Sequence, residues 1–303
     1  MKMWVFIAAL AVLTGEGGRC DAQEIVPHIA DGYVEFRFGP TAGDTLRLEL
    51  QNQVRPRIEA SFGVGPEDGT LTYSYRLANL SDAKQPVILW QLVFPEAVSA
   101  KSVRAPRNWG WFLAHTQTST VRHALPGVRT GGIFVWERKI SPADPIEPGR
   151  EGFFELTTAF LPGVVRAYVL GQVDHNQDEV VSRLPREAAK YLAAEGTGKS
   201  VFTIGPVFSR NTDRIHIVRA FLDRLHEPDL LKDERLDAQF IDELTERLTT
   251  YERKLQSGTA ATQEHLSLCC AVRKTFPNTF QREIARAVEI DLCPVEAASP
   301  QIE

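Results

Sequence analysis

Residues 69–95, GTLTYSYRLANLSDAKQPVILWQLVFP, constrain this chain more than any other stretch. Leu71, Tyr73, Tyr75 and Leu77 fall on alternate positions, with Thr72, Ser74 and Arg76 between them. A period of two in residues that suit a pleated surface is the mark of a half-buried strand. Residues 79–85 supply turn formers, and Pro86 can open the next run without breaking a ladder. Residues 87–94 are almost wholly apolar, with Ile88, Trp90, Leu92 and Phe94 on one face. The pattern predicts a β-hairpin whose second strand needs cover on both faces, and so the centre of a β-sandwich.

The same alternation recurs along the N-terminal two thirds. It predicts strands at 32–38, 44–50, 57–64, 98–103, 116–122 and 131–139. A further pair, 152–160 and 164–170, flanks the turn Leu161-Pro162-Gly163, and 201–204 closes the series. Short strands spaced by about ten residues, with turn signals between them, belong to an antiparallel sandwich rather than a βαβ array. Residues 185–194 read as a short helix with Pro185 in its first turn. From Thr212 the period becomes helical. Ile215, Val218, Leu222 and Leu225 share one face behind a cap at Thr212 or Asp213, and Pro228 stops the run. A second helix spans 237–256, through Phe240, Leu244, Leu248 and Tyr251 to Gly258. A third starts at Thr259 or Thr262 and carries Leu266, Cys269, Val272 and Phe276. A fourth is capped at Thr279 and carries Ile284, Val288 and Leu292. Amphipathic helices on short loops predict an up-down bundle. The expected fold is α+β and multidomain: an N-terminal antiparallel, immunoglobulin-like β-sandwich over 23–206, then a small C-terminal α-helical bundle over 207–303 with a flexible tail.

The first 22 residues have a separate logic. Lys2 is a short basic start, 3–13 is an unbroken apolar run, and Cys20 and Ala22 occupy a small-x-small cleavage site. This predicts a signal peptide, below spanning length, and a secreted or periplasmic mature chain with no later transmembrane segment. At 43% hydrophobic and 24% charged residues the composition is that of a globular protein, and a net charge of −5 excludes the basic footprint of a nucleic-acid partner. Beyond Cys20, three cysteines remain, Cys269, Cys270 and Cys293. One bridge plus one free thiol is the simplest arithmetic, joining Cys293 to Cys269 or Cys270; three buried thiols are the alternative.

Chemical motifs are few. AAEGTGKS at 193–200 meets a loose phosphate-loop pattern, but its helix precedes the loop and its strand follows, the reverse of what phosphate binding needs. Asp174, Asn176 and Asp178 put oxygen ligands on alternate positions like the start of a calcium loop. Glu179 stands where glycine is needed and Pro185 where a bidentate Glu is needed, so no cofactor is expected beyond this calcium candidate. The seven histidines show no zinc or HExxH spacing, and there is no GxSxG elbow. The best contact candidate is aromatic: Arg107, Asn108, Trp109, Trp111 and Phe112 follow Pro106 in what reads as a loop between strands. Exposed indoles there would bind a partner or stack on a sugar ring; the competing reading has Trp109, Trp111 and Trp136 plugging the end of the sandwich.

TYSYRLANLS, then GWF, then a turn before GFFELTTAFLPG resembles uncharacterised secreted bacterial proteins with an immunoglobulin-like domain. FIDELTERLTTYERKL and the helix after it are similar to small helical modules at the ends of exported bacterial proteins. The resemblance implies export and a non-catalytic fold. Together these readings lead to an exported recognition or scaffold protein with a protein or glycan partner. A carbohydrate-binding module is one alternative, and a secreted hydrolase without a recognisable motif is another.

Overall fold

The structure is a computed structural model and describes residues 24–38, 45–94, 98–115, 132–138, 144–173, 198–210, 212–231, 233–258, 261–273, 276 and 278–293. Its strands in chain order are β1 (Glu24–His28), β2 (Tyr33–Arg37), β3 (Thr45–Glu49), β4 (Pro56–Val64), β5 (Leu71–Asn79) and β6 (Val87–Phe94). There follow β7 (Ser102–Arg104), β8 (Trp109–His115), β9 (Gly132–Arg138), β10 (Arg150–Thr158), β11 (Leu161–Gly171) and β12 (Lys199–Phe208). Four longer helices come after them, α1 (Arg214–Leu225), α2 (Ala238–Gln256), α3 (Thr262–Val272) and α4 (Thr279–Leu292), with a single helical turn at Pro228–Leu231 between the first two. The strands form three antiparallel sheets: β1-β2-β3, β4-β5-β10-β7 and β12-β11-β6-β9-β8. The strand predicted at 116–122 and the helix predicted at 185–194 lie outside the described residues.

The four- and five-stranded sheets pack face to face. β5 alternates as expected: Tyr73, Tyr75 and Leu77 are buried while Arg76 is exposed. β5 and β6 are not a hairpin, however. β5 pairs with β4 and β10, whereas β6 pairs with β11 and β9. The link between them carries the chain from one sheet to the other. It is held by Asn79, whose side chain donates to the Gln85 and Ile146 carbonyls and accepts from the Arg55 N–H. Tyr75 and Trp90 therefore meet across the core, ring centroids 5.4 Å apart, rather than within a ladder. β10 and β11 behave in the same way, entering different sheets on either side of a short connection. The true hairpin is β4–β5, in register from Pro56↔Asn79 to Val64↔Leu71.

The inter-sheet core is aromatic. Trp90 and Trp136 are opposite each other on β6 and β9 and stack at 4.4 Å and 6°. Phe154 from the other sheet meets both edge-on, at 5.1 and 5.8 Å. Each such ring removes roughly 150–250 Å² from water, about 4–6 kcal/mol of gross transfer energy apiece. At the side where β4 and β12 approach, Gly205 makes room. A Cβ there would lie 2.7 Å from Val165 and 3.4 Å from the Tyr75 hydroxyl. The second face of β6 is covered too, as its sequence required: Leu89 and Val93 pack with Ile133, Val135, Tyr168 and Leu170.

β2 and β3 do not join the two facing sheets. With β1 they make a small separate sheet around Val34, Phe36, Leu46, Leu48 and Leu50. Buried amides bind it to the rest. The Gln51 side chain donates to the Gly171 carbonyl, the Gly171 N–H donates to the Gln51 carbonyl, and the Gln85 side chain donates to the Leu50 carbonyl.

The helices begin where the capping residues place them. Asp213 accepts from the His216 N–H, Asp237 from those of Gln239 and Phe240. The fourth helix is capped by Asn278, not Thr279, through the Gln281 N–H. In α3 the face differs from the expected one: Leu266 is exposed, and Leu268, Cys269, Ala271 and Val272 are buried. α1 and α4 pack together, α1 rests on β11, and α4 rests on β4, β11 and β12. One apolar cluster runs from the facing sheets into all four helices. At that contact Glu283 of α4 is buried, 5% exposed, and its Oε2 has no hydrogen-bond partner among the described residues.

Burial pushes the Glu283 carboxyl up, against the pull of Arg286, the Phe62 N–H and Arg282. A carboxyl held above its unfolded pKa binds its proton more tightly in the folded chain. Its contribution to stability is present at acid pH and is lost as pH rises from about 4.3 through the native value. Glu283→Gln should flatten that decline: urea melts from about pH 4 to about pH 7 should show the variant gaining on the wild type as pH rises. A constant difference across the series would refute the assignment.

Candidate functional site

The aromatic segment is a strand entered through a tight turn. The Trp109 N–H closes the turn onto the Pro106 carbonyl, and Asn108 takes a left-handed φ of 69°. From Trp109 onward the chain is β8, paired with β9 from Trp109↔Arg138 to His115↔Gly132. The expectation of a loop carrying Trp109, Trp111 and Phe112 is thus corrected; of the five candidates only Arg107 and Asn108 are in the turn. An apolar run with a willing partner strand completes its hydrogen bonds in a ladder sooner than in a loop.

Strand alternation then separates the candidates. Trp109 is 5% exposed, meets Phe154 edge-on at 5.2 Å and donates its indole N–H to the Asp144 carbonyl at 3.1 Å. Phe112 points to the other face, against the cluster of Ile133, Val135, Tyr168 and Leu170. Trp111 is 49% exposed and lies over Phe134 at 5.4 Å and 13°. β8 is the outermost strand of its sheet among the described residues, so the core covers Trp111 from one side. The plug reading therefore holds for Trp109 and Trp136, while Trp111 presents half its surface to solvent on a rigid support.

A second surface was missed in the sequence. Phe153 on β10 is 62% exposed, while its neighbour Phe154 is buried. It borders a shallow depression of about 460 Å³ on the outer face of the four-stranded sheet, lined also by Glu59, Ser61, Ser74, Arg76, Arg104, Glu155 and Thr279. Arg76 bridges Glu151 at 2.7 Å and Glu59 at 3.4 Å, and Arg104 meets Glu155 at 3.3 Å. Such exposed pairs add little stability. The signal was available: of two consecutive aromatics in a strand, one must face outward.

The cysteines and one histidine come together elsewhere. Cys269 and Cys293 are joined by a disulfide with Cα atoms 5.7 Å apart, fastening α3 to the C-terminal end of α4, and Cys270 is an exposed free thiol. His265 Nε2 lies 3.7 Å from Cys269 Sγ and 2.6 Å from the Leu292 carbonyl oxygen. Asp174, Asn176 and Asp178, the calcium candidates, lie outside the described residues. No described helix is long and apolar enough to cross a membrane.

No protein-family profile and no curated protein matches the chain. Among solved structures, a cohesin module from the family 33 glycoside hydrolase of Clostridium perfringens aligns with 52% of this chain and 99% of that module, at 9% identity and a TM-score of 0.25. A likeness so shallow carries no argument about fold or function.

The two indoles should part company on truncation. Trp109→Ala should cost about 3–5 kcal/mol, the range for a large buried aromatic, and Trp111→Ala about 1 kcal/mol or less. Paired urea melts read the difference, and equal losses would place Trp111 in the core. Reducing the disulfide, whose cysteines are 24 residues apart in sequence, should cost about 3 kcal/mol by loop-closure entropy. Melts with and without reductant on a Cys270→Ser background check this.

Proposed function

We propose that this chain is an exported, non-enzymatic recognition or scaffold protein of a bacterial envelope or its medium. In this reading residues 1–22 are a signal peptide, 23–206 an immunoglobulin-like sandwich and 207–303 a helical module, and the disulfide suits an oxidising compartment. One observation carries the proposal: Trp111 offers half its surface from a strand whose neighbours are locked in the core. An aromatic side chain held rigid before binding loses little freedom on contact, and this is the usual character of an interface anchor. The contact surface then lies along β8, the outermost strand of its sheet among the described residues, formed by the aromatic segment singled out in the sequence.

A carbohydrate-binding role is the second reading, and Phe153 favours it. An exposed flat ring bordered by Ser61, Ser74, Arg76 and Glu155 offers a stacking platform with hydrogen-bonding groups at its edge.

Site-specific crosslinking separates the two. A photoreactive phenylalanine at position 111, in protein exposed to a culture of its exporting host, should give a discrete protein adduct. The same probe at Val64, which is 89% exposed, should give none. Equal labelling at both positions, or none at 111, would defeat the protein-recognition reading. For the second reading, a glycan panel should bind the wild type and lose at least tenfold in affinity with Phe153→Ala at unchanged melting temperature; a blank panel would end it.

A further inference from the structure

Away from both surfaces, one cluster gathers three side chains that bind metals: His265 and Cys269 on α3, and Cys293 at the end of α4. His265 and Cys269 are four residues apart, so one turn of helix sets them on the same face. The imidazole is held from two sides, by the Tyr251 ring of α2 at 5.5 Å and by the Leu292 carbonyl on Nε2. The imidazole nitrogen and the two sulfurs all lie within 4.8 Å of one another. We propose that, once the Cys269–Cys293 disulfide is reduced, His265, Cys269 and Cys293 form a three-ligand site for a divalent cation of the zinc type.

Tetrahedral geometry supports this. With metal–sulfur bonds of about 2.3 Å and metal–nitrogen bonds of about 2.0–2.1 Å, the edge from nitrogen to sulfur is about 3.6 Å and that between sulfurs about 3.8 Å. His265 Nε2 already stands 3.7 Å from Cys269 Sγ. With the two cysteine Cα atoms 5.7 Å apart, side-chain rotation opens the sulfurs to the second edge. Both cysteines are buried, 5% and 3% exposed, and such a site shields thiolates from solvent. Three protein ligands leave a fourth position for water or for the Leu292 carbonyl, whose hydrogen bond from Nε2 is given up when the nitrogen binds metal.

The redox step balances with a dithiol reductant. It delivers two electrons and two protons, the S–S bond breaks to two thiols, and the dithiol becomes a disulfide. The cation then displaces both thiol protons to solvent. Exchange with a disulfide oxidant, which takes up the two electrons and leaves as a dithiol, re-forms the Cys269–Cys293 bond and releases the cation. The same two helices are thus joined in either state, by a bond or by a metal.

The test uses the full chain with Cys270→Ser, which removes the exposed thiol. After reduction by a phosphine and removal of the reductant without air, Co²⁺ is titrated in. One cobalt per chain is expected, with the visible absorption of a tetrahedral cobalt thiolate. The oxidised protein should show none. Cys293→Ser should abolish the bands, and His265→Gln should weaken binding at least tenfold. Far-UV circular dichroism is recorded in parallel. A reduced chain that loses helix and regains it with cobalt supports the proposal, because metal binding and folding are then linked. A reduced chain that takes up no cobalt, folded or unfolded, overturns it, as does a spectrum unchanged in His265→Gln.

Discussion

Contact between aromatic side chains of two different sheets is the interaction on which this structure depends. Trp90 and Trp136 stack within one sheet, and Tyr75 and Phe154 meet them from the other. Neither sheet could bury these rings alone, since rings standing on one face of a sheet need atoms packed over them. The rest is arranged around that contact. Among the points where the chain changes sheets, the β5–β6 crossing sets Tyr75 against Trp90 and the β9–β10 crossing sets Trp136 against Phe154. The cost is visible in polar atoms: the Tyr75 hydroxyl and the indole N–H groups of Trp90 and Trp136 have no hydrogen-bond partner among the described residues. Apolar burial outweighs that penalty here because each ring contributes several kcal/mol of gross transfer energy (about 4–6) against about 1–3 for an unpaired neutral group.

The helical part is coupled to this core. α4 lies on β4, β11 and β12, and the side chains between them belong to the same apolar cluster as the tryptophans. Polar contacts give the docking direction. Arg235 donates to the Phe202 carbonyl, Asn278 donates to the Arg235 carbonyl, and Arg286 lies over the Phe62 ring at 5.2 Å. The far side of the module is held by a covalent bond between α3 and α4. A short helix such as α3, with 11 residues and no side-chain cap at its start, is marginal on its own and gains from being tied at Cys269.

Packing leaves two large aromatic side chains, Trp111 and Phe153, open to solvent among the described residues. Trp109 and Trp111 are two residues apart on one strand and point to the same side, yet one is sealed and the other half open. The difference is position in the sheet: Trp109 lies over Phe154 of the facing sheet, while Trp111 extends past the cover that sheet provides. Phe153 is exposed by the opposite route, alternation with a buried neighbour.

The residues alone marked most of the described strands and the four longer helices, but not β1 or β8. Alternation in 71–77, the Gly and Pro turns, and a cap at Thr212 or Asp213 are local signals, and each is read by a chain of a few residues without help from the rest. They also narrowed the partners of Cys293 to two adjacent cysteines. What lay beyond them was partnership. A period of two states that a strand has an inside and an outside; it does not state whether the next strand lies beside it or across from it. Hence β5 and β6 read as a hairpin and proved to face each other, and Trp109 read as a loop residue and proved to be core. Likewise helical phase alone cannot choose Cys269 over Cys270; the placement of α4 against α3 does, since only one of two successive side chains can point at it. Sheet membership, the exposure of Trp111 and Phe153, and the meeting of His265 with the two bonded cysteines are properties of distance between segments far apart in the chain. Tertiary packing decided them, because only there do such segments compete for the same apolar surface.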